Sequence, residues 1–587
     1  MFDVETHGAE DLWRLPPPEF VRLCGWTWNT EDKVYVSDDY TELIEQIRQA
    51  RYIVGHNIHH FDLTALFGKD SVEPLEMALE GRILDTMCYA SVEMPHPSSY
   101  VNRHGDPVFI RNLEHAKVWY SLDEIAYQLG VPGKSGSIKE IAKKHGGYGC
   151  IPIDDDEYRE YLKHDVLASR AVSRAMIQKW PISEYLMREQ RVWGLQAQIE
   201  RSGLRIDVAD AEARVAEQEQ TRAIHMNRLV ERYNFPSEGK APLRTNAGKA
   251  AVLAALDDLG VSTGDLVKTK TGVSLGRDSI LAAVAGKGEE AESLGLALAE
   301  IGGLRPLAQA ALDHLQPDGR IHPQITSFQL SGRWSTQNPG MTTWTSRGDG
   351  AREKRYIIPN EDDHVFVEFD LAQADSRIVA ALSGDKKFAK RFEPGADAHM
   401  ITAILMWGQE VVDTDPAGYR QKAKPCNHGG AYGAGAKTLA KTTGLPIETT
   451  KRYVESQAEA YPLVTKWQAK VRREAQRTGF VLSEWGRRMP VDKDRVFTQA
   501  PALHGQNGTR EVMCDGMLRL PLDIMRMIVL QVHDAILLSI PRDRVDEVIR
   551  IVKAAFEVPF KPRKGGLRID FHMTHGPIAS NWQEAGH

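Results

Sequence analysis

Two aspartates occur at the ends of apolar segments that are far apart in the sequence. Asp370 ends the run that begins at Val367, and Asp534 closes the run that begins at Leu530. Each run has the composition of a buried strand, which would hold its carboxylate in a fixed place. Two such carboxylates can hold two divalent ions about 3.5–4 Å apart, a spacing that suits in-line phosphoryl transfer. The pair therefore predicts a metal-dependent phosphoryl-transfer site.

A cationic segment lies between these aspartates. Arg420, Lys424 and His428 are four residues apart, so a helix would place them on one face, and Tyr432 adds an aromatic ring one turn later. Arg and Lys on such a face can neutralise a triphosphate. An isolated pair at this spacing is more often a solvated basic face, but its place between two carboxylate strands favours nucleotide binding. Pro425 inside the segment predicts a kink.

A second group of acidic residues lies near the N-terminus. Asp3 and Glu5 are two apart in an apolar strand, Asp62 follows a β run that turns into a helix, and Asp165 lies one helical turn after Tyr161. Each acid alone would be an ordinary terminal or solvated residue. Four together can bind two metal ions that activate water and stabilise a leaving oxygen, with Tyr161 orienting the water. This group predicts a hydrolytic metal site.

Composition limits the class of protein. The chain has 587 residues, of which 42% are hydrophobic and 26% charged, so about four globular domains are expected at roughly 150 residues each. It has neither an apolar run of about 18 residues nor a signal peptide, which argues against a membrane protein or a secreted one. The five scattered cysteines include no CxxC pair, which argues against disulfides and structural zinc. A cytoplasmic location is therefore expected.

Charge is distributed unevenly along the chain. The net charge is −7, but residues 451–495 contain eleven Lys and Arg against six Asp and Glu. Lys268 and Lys270 form a second, short basic connector. Because local charge matters more than the sum, these segments predict contacts with nucleic-acid phosphates.

The order of sequence patterns predicts several domains of different composition. Residues 1–185 alternate β-rich and helical runs, which is typical of an α/β domain, and residues 186–320 have helical spacing throughout. Residues 321–383 return to strands, and residues 384–480 are again helical. The last hundred residues mix helices with two predicted strand regions, 528–540 and 567–572.

The N-terminal acids resemble the motifs of a DEDD-type 3′–5′ proofreading exonuclease over about residues 1–180. The patterns Asp-x-Glu at 3–5, Asn-x4-Asp at 57–62 and Tyr-x3-Asp at 161–165 carry the resemblance, in the tyrosine variant of the third motif. It implies an RNase H-like domain with Asp3, Glu5, Asp62 and Asp165 as metal ligands. Asp85 would have a supporting role.

The rest of the chain resembles family A DNA polymerases, the group of bacterial DNA polymerase I and short phage replicative enzymes. The matching segments are Ser-Gly-Arg-Trp-Ser at 331–335, Asp-Leu-Ala-Gln-Ala-Asp-Ser-Arg at 370–377, the 420–433 helix and Gln-Val-His-Asp at 531–534. The resemblance implies metal ligation by Asp370, Asp534 and the Leu371 carbonyl. It also implies nucleotide contacts from Gln373 and Asp375, and DNA contacts from Arg333, Arg495, Gln499 and His533.

The implied fold class is multidomain α/β and α+β, with the exonuclease domain followed by a right-hand polymerase of palm, fingers and thumb. The expected boundaries are 1–185 for the exonuclease, 186–320 for the thumb, 321–383 and 486–587 for the palm, and 384–485 for the fingers. The implied cofactors are two Mg²⁺ ions in each site, with Mn²⁺ as a substitute. The implied partners of this expected monomer are primer–template DNA and dNTPs, with other replication proteins left open. A phage-encoded chain would work in the host cytoplasm.

Three positions depart from the family pattern around the nucleotide pocket. Asp375 stands in place of a glutamate that selects the sugar, His428 in place of an aromatic residue, and Ala535 in place of a glutamate after the last catalytic aspartate. The leading interpretation is a replicative DNA polymerase with proofreading. A 3′–5′ exonuclease with a weakened polymerase half stays open as an alternative. A non-enzymatic DNA-bound scaffold is a weaker one, because it would not need these acids.

Overall fold

The computed structural model of the protein describes residues 1–238, 242–269, 272–304, 306–344, 348–393, 395–563 and 565–586, apart from the side chains of residues 269, 343, 348, 349 and 428. The chain forms two compact units. The first comprises Met1–Leu204, Gln316–Thr343 and Pro359–His587, and the second comprises Arg205–Leu315 and Trp344–Ile358. Within the described ranges, every helix is too short or too polar to cross a membrane.

The N-terminal part of the first unit mixes short strands with helices. Phe2–Thr6 pairs antiparallel with Val21–Trp26, which pairs with Tyr35–Ser37, while Ile53–Gly55 and Ile83–Asp85 form a parallel pair. The α-helices of this part are Pro17–Phe20, Tyr40–Gln49, Asp62–Phe67, Glu73–Leu79, Thr86–Glu93, Leu113–Trp119, Leu122–Leu129, Ile138–His145, Asp156–Lys179 and Glu184–Ser202, and Ser99–Val101 forms a hairpin with Pro107–Phe109. The α/β composition predicted for residues 1–185 is confirmed.

A long helix, Asp156–Lys179, carries the last of the N-terminal acids. It begins where the Asp155 side chain accepts a hydrogen bond from the Tyr158 backbone N–H at 2.9 Å, the usual device of an N-cap. The helix packs closely on the strand Val21–Trp26, because a Cβ built at Gly25 would lie only 2.8 Å from Leu162 Cγ. The glycine therefore allows the helix to approach the strands.

The second unit is mainly helical. Its α-helices are Val208–Tyr233, Asn246–Asp258, Arg277–Val284, Glu289–Gly303 and Leu307–Asp313. Leucines buried on facing helices, among them Leu229, Leu256 and Leu294, form its core. Lys268–Thr269 pairs with Gly272–Val273 in a small hairpin, and Ile357–Ile358 pairs with residues 205–206. The helical composition predicted for this region is confirmed over its described residues.

A four-stranded antiparallel sheet lies at the centre of the first unit. Its strand order is Ile528–Val532, Ala535–Pro541, His364–Leu371 and Met573–His575. We call His364–Leu371 the central strand. Its residues Val367, Phe369 and Leu371 are buried, so Glu368 and Asp370 lie on its other face.

Helices and short strands complete the first unit around this sheet. The α-helices are Ala374–Ser383, Lys386–Ala389, Ala398–Trp407, Gln409–Val412, Pro416–Ala431, Ala436–Thr443, Ile447–Ala460, Pro462–Thr478, Val496–Leu518, Leu522–Met525, Val545–Phe556 and Trp582–Ala585. The remaining strand pairs are Gln324–Thr326 with Ser335–Gln337 and Phe480–Leu482 with Arg488–Pro490.

One strand prediction is wrong. Residues 567–572 form no strand of their own, apart from a single bridge between Ile569 and Phe560. The Leu567 N–H instead donates to the carbonyl of Ala381 at 3.0 Å, near the end of a helix, so this segment is anchored without a strand partner. The last strand begins later, at Met573.

Candidate active sites

The sheet brings the two predicted polymerase aspartates together. Asp370 pairs with Ala535 across the sheet, and the Leu371 N–H donates to the Asp534 carbonyl at 2.9 Å. His533, at φ 56°, forms the tight turn that delivers Asp534 to the end of the central strand. Backbone pairing therefore brings together two aspartates that are far apart in the sequence.

Burial and mutual repulsion shape the electrostatics of this pair. Burial first, and then Asp534 and Glu368, raise the pKa of Asp370 to about 7. Burial and Asp375 likewise raise the pKa of Asp534. Clustered, partly desolvated carboxylates are unfavourable without a counter-charge, and their oxygens are the ligands that Mg²⁺ prefers. The donor set thus fits a divalent cation.

Sequence reasoning did not single out the third carboxylate, Glu368. It lies two residues before Asp370 on the same face of the central strand, and its Oε2 accepts a hydrogen bond from Trp582 Nε1 at 2.6 Å. Because side chains on a strand alternate between its two faces, the two-residue spacing from Asp370 could have pointed to Glu368.

Asp375 is held by three side chains from different parts of the sequence. Arg333 Nη2 donates to both carboxylate oxygens at 2.6 and 2.8 Å, and the hydroxyls of Tyr432 and Thr509 each donate one further bond. Gln373, at φ 53°, makes the turn from the central strand into the helix that carries Asp375. The carboxylate is therefore fixed in orientation.

Sequence reasoning missed Thr509. It lies on Val496–Leu518, a helix whose residues 507–514 are all buried, so periodicity cannot show which side faces Asp375. The same helix brings Gly505 against Tyr432, where a Cβ would lie only 2.6 Å from the ring carbon Cε1.

The predicted cationic helix spans Pro416–Ala431 and continues through Pro425, so the kink stays a prediction. Arg420 Nε contacts Asp397 Oδ2 at 2.6 Å, whereas Lys424 has no ion-pair partner among the described side chains. The backbone of His428 is helical, but its side chain lies outside the described set.

The residues predicted to contact DNA are spread over both units. Arg495 and Gln499 line a cavity of about 640 Å³, and Gln499 Oε1 accepts from the Asp492 N–H at 2.9 Å. His533 and Lys268 are exposed, whereas Arg333 is engaged with Asp375, and Lys270 lies outside the described residues. Their DNA contacts stay predictions.

The N-terminal acids form a second carboxylate centre. One carboxylate oxygen from each of Asp3, Glu5 and Asp165 lies within 4.8 Å of the other two, and no other such cluster of three acids, His or Cys occurs in the described part of the chain. Asp62 lies outside this group of three, but its Oδ1 accepts from the Val4 N–H at 3.1 Å, beside Asp3 and Glu5.

Burial dominates the electrostatics of this centre too. Burial, followed by repulsion from Asp165, raises the pKa of Asp3 to about 7, and burial with Asp3 raises the pKa values of Glu5 and Asp62. The close oxygen ligands fit a divalent cation as well.

Lys134 is a neighbour of this centre that no sequence motif predicts. Its Nζ forms an ion pair with Asp165 and lies 3.3 Å from the Tyr161 hydroxyl. The Asp123 carboxylate accepts the Lys134 backbone N–H at 2.8 Å, which fixes the loop. Although burial acts to lower it, Asp165 and Asp3 raise the pKa of Lys134.

Asp85 holds the turn before Asp62, and its supporting role in the site stays a prediction. Its carboxylate accepts the backbone N–H groups of Asn57 at 3.0 Å and His59 at 3.2 Å, and that of Met87 at 2.8 Å. Asn57 has φ 62°, so these bonds hold a turn of uncommon conformation.

Comparisons with known proteins find relatives that cover most of the chain. The sequence profile of DNA polymerase family A matches residues 249–584. The DNA polymerase of Mycobacterium phage D29 is 28% identical over 571 residues, which cover 93% of this chain and 87% of that protein. The DNA polymerase of Mycobacterium phage L5 is 28% identical, covering 83% and 77%.

More distant proteins match as well. A thermostable DNA polymerase I of Thermus thermophilus is 27% identical over 71% of this chain and 50% of its own length. The fold also resembles the solved POL domain of Pol1 from M. smegmatis, in complex with DNA primer-template and dNTP. The TM-score is 0.76 at 18% identity, covering 100% of this chain and 96% of that one.

The family match spans more than half of the chain, and the sheet places the two expected acidic residues side by side. The chain therefore belongs to DNA polymerase family A and is a DNA-directed DNA polymerase.

Proposed function

We propose that the protein replicates DNA by adding dNTPs to a primer 3′ end at Asp370 and Asp534, and that it proofreads with an N-terminal 3′–5′ exonuclease. One observation carries the proposal: a single chain contains two separate centres of buried or half-buried carboxylates, which repel one another and have raised pKa values. A scaffold would gain nothing from such groups, because buried like charges destabilise a fold.

We assign the domains by the same reasoning. Residues 1–185 form the exonuclease, 186–320 the thumb, 321–383 and 486–587 the palm, and 384–485 the fingers. The acid cluster supports the first assignment, and the four-stranded sheet with Asp370 and Asp534 supports the palm.

The cofactor in both sites is Mg²⁺, two ions each, with Mn²⁺ as a substitute. Asp370, Asp534 and the Leu371 carbonyl would hold the first pair. Asp3, Glu5, Asp62 and Asp165 would hold the second. When bound, such ions stabilise the charge that develops on the attacking and leaving oxygens.

The side chains of the protein then have distinct tasks. Arg420 and Lys424 neutralise the triphosphate, Tyr432 packs near the incoming nucleotide, and Gln373 lies at the turn beside Asp375. In the N-terminal site, the Tyr161 hydroxyl positions the attacking water. Arg495, Gln499 and His533 contact primer–template DNA from the first unit, and the basic connector that contains Lys268 contributes phosphate contacts of its own.

Primer extension is the direct test of the polymerase function. A labelled primer on a longer template should be extended with dNTPs and Mg²⁺, and not when EDTA replaces Mg²⁺. Degradation of the primer without any extension would favour the alternative of an exonuclease with a weakened polymerase half.

Asp375 is expected to control the choice between dNTPs and rNTPs. Asp375→Glu restores the usual length, but the added methylene must fit among three donors that already hold the carboxylate. We expect the dNTP/rNTP preference, measured by single-nucleotide insertion, to change several-fold, on the order of 1 kcal/mol.

Two further variants separate the contribution of Asp375 to the dNTP/rNTP preference from those of Thr509 and His428. Thr509→Val removes one donor and leaves Asp375 in place, so it should shift the preference in part. His428→Phe tests the family's aromatic position. An unchanged dNTP/rNTP preference in both Asp375→Glu and His428→Phe would show that neither residue selects the sugar.

Lys134 is expected to stabilise the N-terminal centre when no metal is bound. Lys134→Met leaves the carboxylates without their internal cation, and loss of one partner of a buried ion pair costs about 3 kcal/mol. The melting temperature in EDTA should fall, and the increase produced by Mg²⁺ should become larger than in the parent.

Lys163→Met is the matched control for this variant. Lys163 lies on the same helix as Asp165 but pairs with Glu160 at the surface, at 2.6 Å, where such a pair is worth about 0.5 kcal/mol. Equal melting shifts in the two variants would show that Lys134 has no special relation to the acids.

A further inference from the structure

An open cavity of about 890 Å³ lies on the N-terminal part of the first unit. It is lined by residues of the helix Tyr40–Gln49, of the parallel strands Ile53–Gly55 and Ile83–Asp85, and of the end of the helix Asp156–Lys179. None of the four N-terminal acids is among its lining residues, so the cavity is separate from the proposed exonuclease centre.

The floor and rim of the cavity are rich in aliphatic and aromatic side chains. Leu43 and Ile47 are buried at its floor. Tyr52, Ile177 and Ile182 keep 58%, 40% and 46% of their surface exposed around it. Single exposed apolar residues are normal on proteins, but three around one concave surface are typical of a binding site.

Positive charge surrounds this apolar surface. Arg51, Arg174 and Arg191 line the cavity, and none of them forms an ion pair with a described carboxylate. Glu80 is the one carboxylate among the lining residues, and its Oε2 lies 3.7 Å from the guanidinium of Arg82, a residue outside the cavity. The cavity therefore combines an apolar floor with uncompensated cations.

Two of these arginines are already held in place. The Arg51 guanidinium lies over the Tyr52 ring, 5.2 Å from its centroid, and Arg174 Nη2 donates to the Asn29 carbonyl at 2.9 Å. Because these contacts already restrict the two side chains, less conformational entropy is lost when an anion binds to them.

We propose that this cavity is a docking site for a short acidic peptide segment of another protein, anchored by an aromatic or large aliphatic side chain. The carboxylates would pair with Arg51, Arg174 and Arg191, and the anchor would lie on Leu43 and Ile47. Phosphates of single-stranded DNA would also be attracted, but the aliphatic floor suits an apolar side chain better than polar base edges. The proposal is independent of both catalytic sites.

The test measures fluorescence anisotropy of labelled peptides with the full chain. The probe is an octapeptide of four Asp, one Leu, one Phe and two Gly, and its control replaces each Asp with Asn. The acidic peptide should bind in the micromolar range. Arg51→Glu combined with Arg174→Glu should weaken it at least about tenfold. Ile177→Asp should also weaken it, because this exposed position tests the apolar contact.

Arg550→Glu is the matched control, because Arg550 is exposed on another helix and does not line the cavity. Primer extension by the double variant should equal that of the parent, which shows that the variant is folded. Equal binding of the neutral peptide, or acidic-peptide binding that survives the double variant and Ile177→Asp, would overturn the proposal. A labelled oligo-dT that binds here in place of the peptide, and is lost in the same variants, would also overturn it.

Discussion

Asp370→Asn should reduce primer extension by at least about a thousandfold, equivalent to about 4 kcal/mol of transition-state stabilisation. The substitution keeps the size of the side chain and removes the charge that would hold a metal ion opposite Asp534. Because the central strand is fixed by backbone pairing on both sides, the variant should fold normally. Rapid-quench measurement of single-nucleotide insertion gives the rate.

Asp534→Asn should have a comparable effect, whereas Asp543→Asn is the control. Asp543 is exposed just beyond the far end of the strand that follows Asp534, away from the carboxylate pair. Both active-site variants should still degrade single-stranded 3′ ends. Extension at near the parent rate by either variant would remove that aspartate from the catalytic pair.

The second large effect is expected at the N-terminal centre. Asp3→Asn combined with Glu5→Gln removes two of the three acids whose oxygens lie within 4.8 Å of one another. Degradation of a labelled single-stranded oligonucleotide should fall by at least about a thousandfold, because two of the acids that would hold the metal ions are removed. Extension of a matched primer should persist.

The control for this variant is Glu10→Gln combined with Asp11→Asn, which neutralises the same number of charges in a nearby exposed or half-exposed turn. A purified Asp3→Asn and Glu5→Gln variant that still degrades 3′ ends would refute the assignment of these acids. Loss of extension together with degradation would instead indicate a folding defect.

Strand pattern and spacing were sufficient to predict the local placement of the main acids. Asp370 lies at the end of an apolar run, and the structure places it on a strand beside Asp534. Asp165 and Tyr161 are one helical turn apart, and the structure places them on one helix. These predictions succeeded because they depend on short-range periodicity.

Contacts between distant segments could not be predicted in the same way. Thr509 meets Asp375 only because the helices Ala374–Ser383 and Val496–Leu518 pack together. Lys134 reaches Asp165 from a loop with no motif of its own. The segment 567–572 has a strand-like sequence, but its backbone groups are anchored elsewhere, as the bond from Leu567 to Ala381 shows. Tertiary packing decides each of these cases.

The pairing of Leu371 with Asp534 has a consequence for the order in which a nascent chain completes its two carboxylate centres. All four N-terminal acids have been synthesised by residue 165, whereas the Asp370 centre lacks its partner until residue 534 has been made. A chain cut short before that point would carry all four N-terminal acids but only one aspartate of the Asp370 and Asp534 pair. A premature stop before Asp534 would therefore leave the polymerase centre without one of its two aspartates.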